Sequence, residues 1–290
     1  MKASTTDTGT DTWWPSRHGA DDQAGALNEI SAESVVSAAR LVRQGRSYDL
    51  AHVLHHDVPA FPGRVFNQEL DEPQSVPGPH GLGFVIERVN APSQMGTHMD
   101  ALNHLHNHGR TYNGHRIADI AAPYGTTRLG VDTLPQVITR GLLVDVASRR
   151  GVPRLEARYV IGPDDVKGLD VRPGDAVLFH TGWGQLWYDE PAQYSSGEPG
   201  PGLDLAGWLV DQRVALTGCD TWSYGPVPAE DPEQPFLVPQ TLNTRHGVVV
   251  VDNLFLSDLA RDGVHEFLLV IAHSKLRGAT GSWVAPLAIV

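Results

Sequence analysis

The 290-residue sequence is poor in cysteine, in positive charge and in long apolar runs. Cys219 is the only cysteine, which excludes an internal disulfide and a cysteine-based zinc site and is typical of a reducing cytoplasm. The sequence has 22 basic and 34 acidic residues, which gives a formal net charge of -12, so no basic stripe is available to neutralise phosphates. No stretch approaches the roughly 20 apolar residues of a membrane helix, and no apolar run near the N-terminus follows a basic segment. We therefore expect a cytoplasmic protein whose partner is a small molecule rather than a nucleic acid or a membrane.

Short apolar segments separated by turn residues make up most of the chain. The sequence has 30 glycines and 21 prolines, and segments rich in Val, Leu and Ile predict strands at residues 84–89, 142–146, 176–180, 214–218, 248–251 and 267–272. Helices are predicted over residues 31–44, between a Ser31 cap and Gly45, and over residues 205–212. Residues 1–12 have too little apolar surface to fold and are predicted to form a disordered tail. The pattern predicts one α/β domain over residues 13–290, with a mainly β core and few helices.

One interior segment, residues 193–202, is rich in Gly, Pro and Ser and resembles a linker. Because these residues favour turns through their backbone geometry, the segment is predicted to be a surface loop. The alternative is a lid over a functional site.

The chemistry of the chain is concentrated in residues 93–108 and the few that follow. Five of the 14 histidines, namely His98, His104, His106, His108 and His115, fall within 18 residues. Imidazole is the commonest metal ligand and the side chain best suited to proton transfer near neutral pH. On a strand His98 and Asp100 point the same way, while Met95, Thr97, Met99 and Ala101 point to the other side. The alternation indicates a site facing a cavity, and the alternative is a solvated histidine-rich loop.

The segment Gly96-Thr97-His98-Met99-Asp100, followed by His104, resembles the signature of the metal-dependent cyclase-like hydrolases, the family of bacterial kynurenine formamidase and isatin hydrolase. Further blocks resemble the same family in the same order: residues 14–22, 25–28, 61–63, 112–114, 174–178, 180–183 and 281–288. The resemblance implies a swivelling β/α/β single domain that assembles as a homodimer or higher homo-oligomer.

By the same resemblance, His98 and Asp100 are metal ligands and His104 is the general acid/base. One divalent ion, Mn2+ or Zn2+, suits such ligands. The implied reaction is hydrolysis of a small-molecule amide or lactam, or of an ester or lactone, with a metal-bound water as nucleophile.

Three positions depart from the family pattern. Gln94 stands where the family has its first histidine ligand, and its neutral oxygen binds transition metals more weakly than imidazole. Pro239 and Asp252 occupy positions where two-metal members of the family have a histidine and a glutamate, so a second metal is not expected. For Asp252 the alternative is a strand-end carboxylate that bonds nearby backbone, and nearby His246 is expected to lie in a surface turn.

Four other residues are candidates for substrate binding: Trp14, Tyr112, Asp220 and Trp222. Trp14, Tyr112 and Trp222 could stack on an aromatic substrate or pack in the core, and Asp220 could line a pocket or cap a turn. His106 and His108 are expected in a loop. The consecutive side chains of residues 55–57, His-His-Asp, diverge on a strand, so at most part of this cluster is expected to reach one ion.

Two other functions are compatible with the sequence. The first is a metal-weak or metal-free cyclase or dehydratase in which His104 is the acid/base, an alternative that Gln94 and Pro239 favour. The second is a non-catalytic binding protein for small molecules on the same scaffold. The sequence contains no Gly-x-Ser-x-Gly motif and no phosphate-binding loop, which argues against a serine hydrolase and a nucleotide-binding enzyme.

Overall fold

A computed structural model describes residues 12–290, so the predicted tail lies, apart from residue 12, outside the described residues. The described chain is built around one mixed sheet of nine strands, in the order β1-β17-β15-β9-β11-β13-β14-β6-β16, with four two-stranded ribbons beside it. The strands are β1 Ser47–Asp49, β2 Asn67–Leu70, β3 Gln74–Ser75, β4 Gly83–Phe84, β5 Glu87–Asn90, β6 His98–Asp100, β7 Ala121–Ala122, β8 Gly125–Thr126, β9 Val137–Asp145, β10 Val160–Ile161, β11 Ala176–His180, β12 Gly200–Pro201, β13 Leu216–Cys219, β14 Val249–Asp252, β15 Glu266–Ile271, β16 Gly281–Trp283 and β17 Leu287–Ile289.

The helices are short and flank the sheet. Eight α-helices lie within the described residues: α1 Ala32–Ala39, α2 Ile117–Ile120, α3 Val146–Arg149, α4 Leu186–Asp189, α5 Pro191–Tyr194, α6 Leu203–Asp211, α7 Leu237–Gln240 and α8 Ser257–Arg261. Further single turns of 3-10 or π type lie at Gly25–Glu29, Tyr112–Gly114, Val131–Thr133, Pro163–Val166, Trp183–Gln185 and Thr241–Arg245. The predicted α/β domain with a mainly β core and few helices is confirmed.

Four parallel strands, β9, β11, β13 and β14, form the centre of the sheet. All but one of their residues are buried, which explains why they are continuous apolar runs rather than alternating ones. Two apolar clusters account for this burial, one centred on Leu143 and Leu178 and the other on Val177 and Phe179. Parallel strands that are paired in register end at the same edge of the sheet, and polar side chains are collected there.

Two antiparallel strands extend this sheet beyond β14. Strand β6 pairs with β14, which places His98 opposite Asp252, and strand β16 pairs with β6, which places Gly281 opposite Asp100. The histidine-rich segment therefore joins the edge where the parallel strands end.

Three local predictions were wrong. Helix α1 begins after the predicted Ser31 cap but ends at Ala39, because the following chain turns so that the amides of Gln44 and Arg46 donate to the Val290 carbonyl. The predicted strand over residues 84–89 is split between β4 and β5, in an exposed pair of ribbons. Its apolar residues alternate poorly, and no core covers them.

The segment 193–202 is the third difference. It begins in a helix and continues as buried chain from residue 197 onwards. Strand β12 pairs with β10, and the Glu198 side chain is fully buried. Glycine and proline occur here because the backbones pack closely: a Cβ on Gly200 would lie 2.3 Å from the Tyr224 carbonyl oxygen. Among residues 12–290, no helix has the length and apolarity needed to cross a bilayer.

Candidate metal centre

The backbone before β6 orients the His98 imidazole. Gly96 has φ +56, a conformation that favours glycine, and a Cβ there would lie 2.2 Å from Leu54 Cδ2. In this turn the Gly96 carbonyl lies 2.8 Å from His98 Nδ1. The ring therefore donates its Nδ1–H to the carbonyl and presents the Nε2 lone pair on its other side, as metal-ligating histidines do.

Two carboxylates face that lone pair. His98 Nε2 lies 3.7 Å from Asp100 Oδ1 and 3.9 Å from Asp252 Oδ2. One ligand atom from each of His98, Asp100 and Asp252 can be chosen so that all three lie within 4.8 Å of one another, and all three residues are buried. Strand parity brings Asp100 to the side of His98, and the β6–β14 register brings Asp252 opposite it.

The electrostatics of this group favour the binding of a cation. Burial raises the pKa of Asp252 well above its usual value, and the neighbouring charges of Asp100 and Glu198 raise it further. Burial lowers the pKa of His98, an effect that Asp100 partly offsets, so the imidazole is held neutral. Asp100 Oδ1 and Asp252 Oδ1 are buried without a hydrogen-bond partner in the described residues. Two carboxylates and a neutral imidazole whose ligand atoms lie within 4.8 Å of one another fit a divalent ion.

Gln94 lies beside this group. It is 9% exposed, and its Nε2 donates to Thr280 Oγ1 at 3.1 Å. Gly281 leaves room for it, because a Cβ there would lie 2.7 Å from Gln94 Nε2 and 3.6 Å from Asp100 Oδ1. The amide is therefore held at the edge of the cluster, with its oxygen as the atom available to an ion.

His104 is placed differently from the three clustered residues. Its Nε2 lies 3.8 Å from Asp100 Oδ2, and its side chain is 23% exposed. It lines the same cavity as His98 and Asp100. This position gives it access both to the cluster and to a molecule in the cavity, as proton transfer requires.

The cluster opens into a cavity of about 160 Å³. The walls are polar on one side and aromatic on the other; the lining residues are Phe61, Arg64, Gln94, His98, Asp100, His104, Leu105, Trp222, Ser223, Phe236, Pro239 and Asp252. The rings of Phe61, Trp222 and Phe236 are in mutual contact, with centroids 5.5 to 6.3 Å apart. A volume of about 150 Å³ is enough for a benzene-sized body.

Of the four predicted substrate-binding residues, Trp222 lines the cavity and the other three do not. Trp14 packs on Gly114 and under the Arg110 guanidinium. Tyr112 is buried and donates its hydroxyl to Asp22 at 2.7 Å. Both aromatic rings pack against other residues near the N-terminal segment, so neither is available to a ligand in this cavity.

Asp220 belongs to a second buried group at the same sheet edge, with His180 and Asp145. The Asp220 carboxylate accepts from Thr181 N at 2.9 Å, Thr181 Oγ1 at 2.6 Å and Gly182 N at 3.0 Å. His180 Nδ1 lies 2.9 Å from Asp145 Oδ1. Asp220 thus serves the turn after β11 rather than the cavity, as its alternative interpretation stated.

Other sequence candidates also differ from expectation. Among the described residues, the Asp252 side chain accepts no hydrogen bond from nearby backbone, and it joins the cluster instead. The consecutive residues His55, His56 and Asp57 bring their ligand atoms within 4.8 Å of one another, because they lie in an exposed turn rather than on a strand. His106, by contrast, lies in an exposed loop outside the cavity, as expected.

Arg64 was missed by the sequence reasoning. It lines the cavity and follows Phe61-Pro62-Gly63, a block already recognised in the sequence. The available signal was the Pro-Gly turn, which places Phe61 and Arg64 side by side.

Comparison with known proteins identifies the family and the fold. The family model described as "Putative cyclase" matches residues 48–226. None of the curated proteins matches the chain. A crystal structure of a novel cyclase superposes with TM-score 0.82 and 29% identity, covering 94% of this chain and 98% of its own.

Isatin hydrolases share the fold at lower identity. Isatin hydrolase A from Ralstonia solanacearum has TM-score 0.65 and 18% identity, covering 89% of this chain and 97% of its own. Isatin hydrolase A from Labrenzia aggregata, bound to benzyl benzoate, has TM-score 0.62 and 21% identity, covering 90% and 99%. Since the family model spans more than half of the sequence, this chain belongs to the cyclase family.

Proposed function

We propose that this protein is a metal-dependent hydrolase of a small-molecule amide or lactam. The observation that carries the proposal is the buried group of His98, Asp100 and Asp252, which offers three ligand atoms within 4.8 Å of one another beside a cavity. The preference for a carbon–nitrogen bond over an ester is suggested by the isatin hydrolases that share the fold.

His98, Asp100 and Asp252 would hold one divalent ion, Mn2+ or Zn2+, with the Gln94 oxygen as a further ligand. A bound ion of this kind lowers the pKa of water toward about 7 and polarises a carbonyl. His104 accepts a proton from the attacking water at its ring nitrogen and returns it to the leaving nitrogen. His104 Nε2 lies 3.8 Å from Asp100 Oδ2, which places the ring beside the residues that would hold the ion. The Phe61, Trp222 and Phe236 rings hold the apolar body of the substrate and exclude water.

Metal analysis and a substrate screen test the proposal. We expect one divalent ion per chain by mass spectrometry on protein not exposed to chelator, and hydrolysis of amides or lactams in preference to matched esters or lactones with added Mn2+ or Zn2+. The His104→Ala variant should keep the ion and lose about 10²–10⁴-fold in kcat, while His106→Ala, outside the cavity, should remain active. A fully active metal-free enzyme would refute the proposal.

One observation favours a second function. Gln94 replaces an imidazole at the cluster with a neutral amide, which weakens the ligand set. The alternative is a cyclase or dehydratase in which His104 moves protons without an ion. Activity that survives chelation but not the His104→Ala change would select this alternative.

A further inference from the structure

A tight turn supplies two neighbouring walls of the cavity. The Arg64 amide donates to the Phe61 carbonyl at 3.0 Å, and Gly63 between them has φ +87. Proline followed by glycine at the two central positions is the residue preference of a type II turn. The turn places an aromatic ring and a guanidinium beside each other at the cavity.

The Arg64 guanidinium is held in place but not neutralised. Its Nη1 donates to the Gln94 carbonyl at 2.7 Å, and its central carbon lies 5.1 Å from the centre of the Phe61 ring. Guanidinium has five N–H donors in a fixed fork. Within residues 12–290, Arg64 forms no ion pair, so most of this fork is available. Its charge reaches the cluster, because it lowers the pKa of both His98 and Asp252.

Once a divalent ion is bound by the cluster, the residues that line the cavity carry one uncompensated positive charge, that of Arg64. Asp100 and Asp252 are the acidic residues among the lining residues, and one divalent ion balances their two negative charges. The positive charge of Arg64 is then uncompensated next to an aromatic wall. A planar fork beside an aromatic ring is suited to a carboxylate on a flat apolar body.

We propose that Arg64 is an anion subsite and that the substrate is a small carboxylate with a flat, apolar body. Phe61, Trp222 and Phe236 would contact that body, and the guanidinium would bind the carboxylate away from the bond that is cleaved. The statement about the substrate rests on the proposed function, whereas the subsite itself is a property of binding.

Binding of benzoate and benzamide tests the subsite, because the two probes share a body and differ in charge. Calorimetry on Zn2+-loaded protein should show that benzoate binds wild type at least about tenfold more tightly than Arg64→Gln, since hydrogen bonds to charged groups are among the strong ones. Benzamide affinity should change less than about twofold, and Arg64→Lys should fall between the two in its benzoate affinity. Because Arg64 also donates to the Gln94 carbonyl, the Zn2+ content of each variant is measured first, and affinities are compared at equal Zn2+ loading so that coordination of benzoate to the ion is common to all variants.

A matched control is Arg88→Gln, which removes an arginine paired with Asp71 on the exposed ribbon. It should bind both probes as wild type does. Equal benzoate affinity in wild type and Arg64→Gln, or an equal loss of both probes, would overturn the subsite. An intact charge preference in a protein that hydrolyses no amide or lactam would instead refute the proposed function and leave the subsite standing.

Discussion

Two groups of one histidine and two aspartates lie at the same edge of the sheet, and they differ in how their polar atoms are used. In the His180 group, Asp145 accepts from His180 Nδ1 at 2.9 Å, from Ser148 N at 3.1 Å and from Ser148 Oγ at 2.6 Å. In the His98 group, Asp100 Oδ1 and Asp252 Oδ1 have no hydrogen-bond partner among the described residues. The residue types are the same, but of the two groups only the second has buried carboxylate oxygens without a partner, whereas in the first the unpartnered atom is His180 Nε2.

The protonation equilibria of the two histidines differ in the same way. Burial by itself lowers the pKa of His180, but the hydrogen bond to Asp145 and the charges of Asp220 and Asp145 raise it overall. Burial lowers the pKa of His98, and its charged neighbours do not reverse this effect. The raised pKa favours a protonated His180, whose positive charge offsets the neighbouring carboxylates, whereas the lowered pKa of His98 favours a neutral ring beside its two carboxylates. The two groups have the same residue types, so composition alone does not identify a candidate metal site. Buried carboxylate oxygens without hydrogen-bond partners distinguish it.

The largest expected effect is on metal affinity, which should fall after a substitution in the His98 group and not after one in the His180 group. Asp252→Asn removes a charged ligand and should weaken Zn2+ or Mn2+ binding by more than about 100-fold, since even changes to the outer partners of ligands cost about 10–100-fold. Asp220→Asn, at a strand end of similar burial (1% against 6% exposed), should leave the affinity unchanged. Competition titration with a chelating dye measures both, and equal metal loss in the two variants would remove the distinction.

The same two variants should show the opposite order of effects on stability, with the larger loss in Asp220→Asn. Asp220→Asn weakens bonds from Thr181 and Gly182 and should lower the free energy of unfolding by about 2–3 kcal/mol, because its bonds are to a buried charged group. Asp252→Asn breaks no hydrogen bond of its own and should change the metal-free protein by less than about 1 kcal/mol. Urea unfolding of chelated samples gives both values. A larger loss in the Asp252 variant would contradict this assignment.

A substitution at Gln94 tests whether the side chain at this position reaches an ion held by the His98 group. Gln94→His replaces an amide oxygen with imidazole at the edge of the cluster and should increase affinity for Zn2+ by about tenfold. The matched change Gln136→His, at a glutamine that bonds the His273 backbone far from the cavity, serves as the control. No gain at position 94 would mean that its side chain does not reach the ion.

The smallest expected effect is the pH dependence of the stability that the His180 group contributes. Because the pKa of His180 is raised in the folded state above its usual value of 6.5, its stabilising contribution is fully present below that value and is lost as pH rises through the folded pKa. The difference in unfolding free energy between wild type and His180→Gln should therefore be largest below about pH 6.5 and should shrink as the pH rises above it. His106→Gln is the surface control, and a difference that grows with pH would show the opposite linkage.

Local pattern was enough to predict part of the candidate site. Period-two alternation placed His98 and Asp100 on one side of a strand, and the structure brings them together in β6. The apolar runs predicted the strand β11 with its bounds and the other central strands to within a few residues. These features depend on neighbours along the chain, so the sequence carries them directly.

Other residues of the site could not be assigned from local pattern. Asp252 lies about 150 positions after His98 in the chain and meets it only through the β6–β14 register. Trp14 and Tyr112 have the same aromatic character as Trp222, but packing places only Trp222 at the cavity. The aspartates at 220 and 252 both end apolar strands, and their different roles follow from which turns happen to donate hydrogen bonds to them.

The amino-acid sequence by itself determined the fold class, the strands of the central sheet and the nucleus of the metal group, because alternation, turn residues and the histidine motif act over short distances. The tertiary structure alone decided that Asp252 joins His98 and Asp100, that Arg64 lines the cavity and that the carboxylate oxygens of the His180 group are hydrogen-bonded. Those outcomes depend on register and burial, which bring distant residues together and determine whether each polar atom finds a partner.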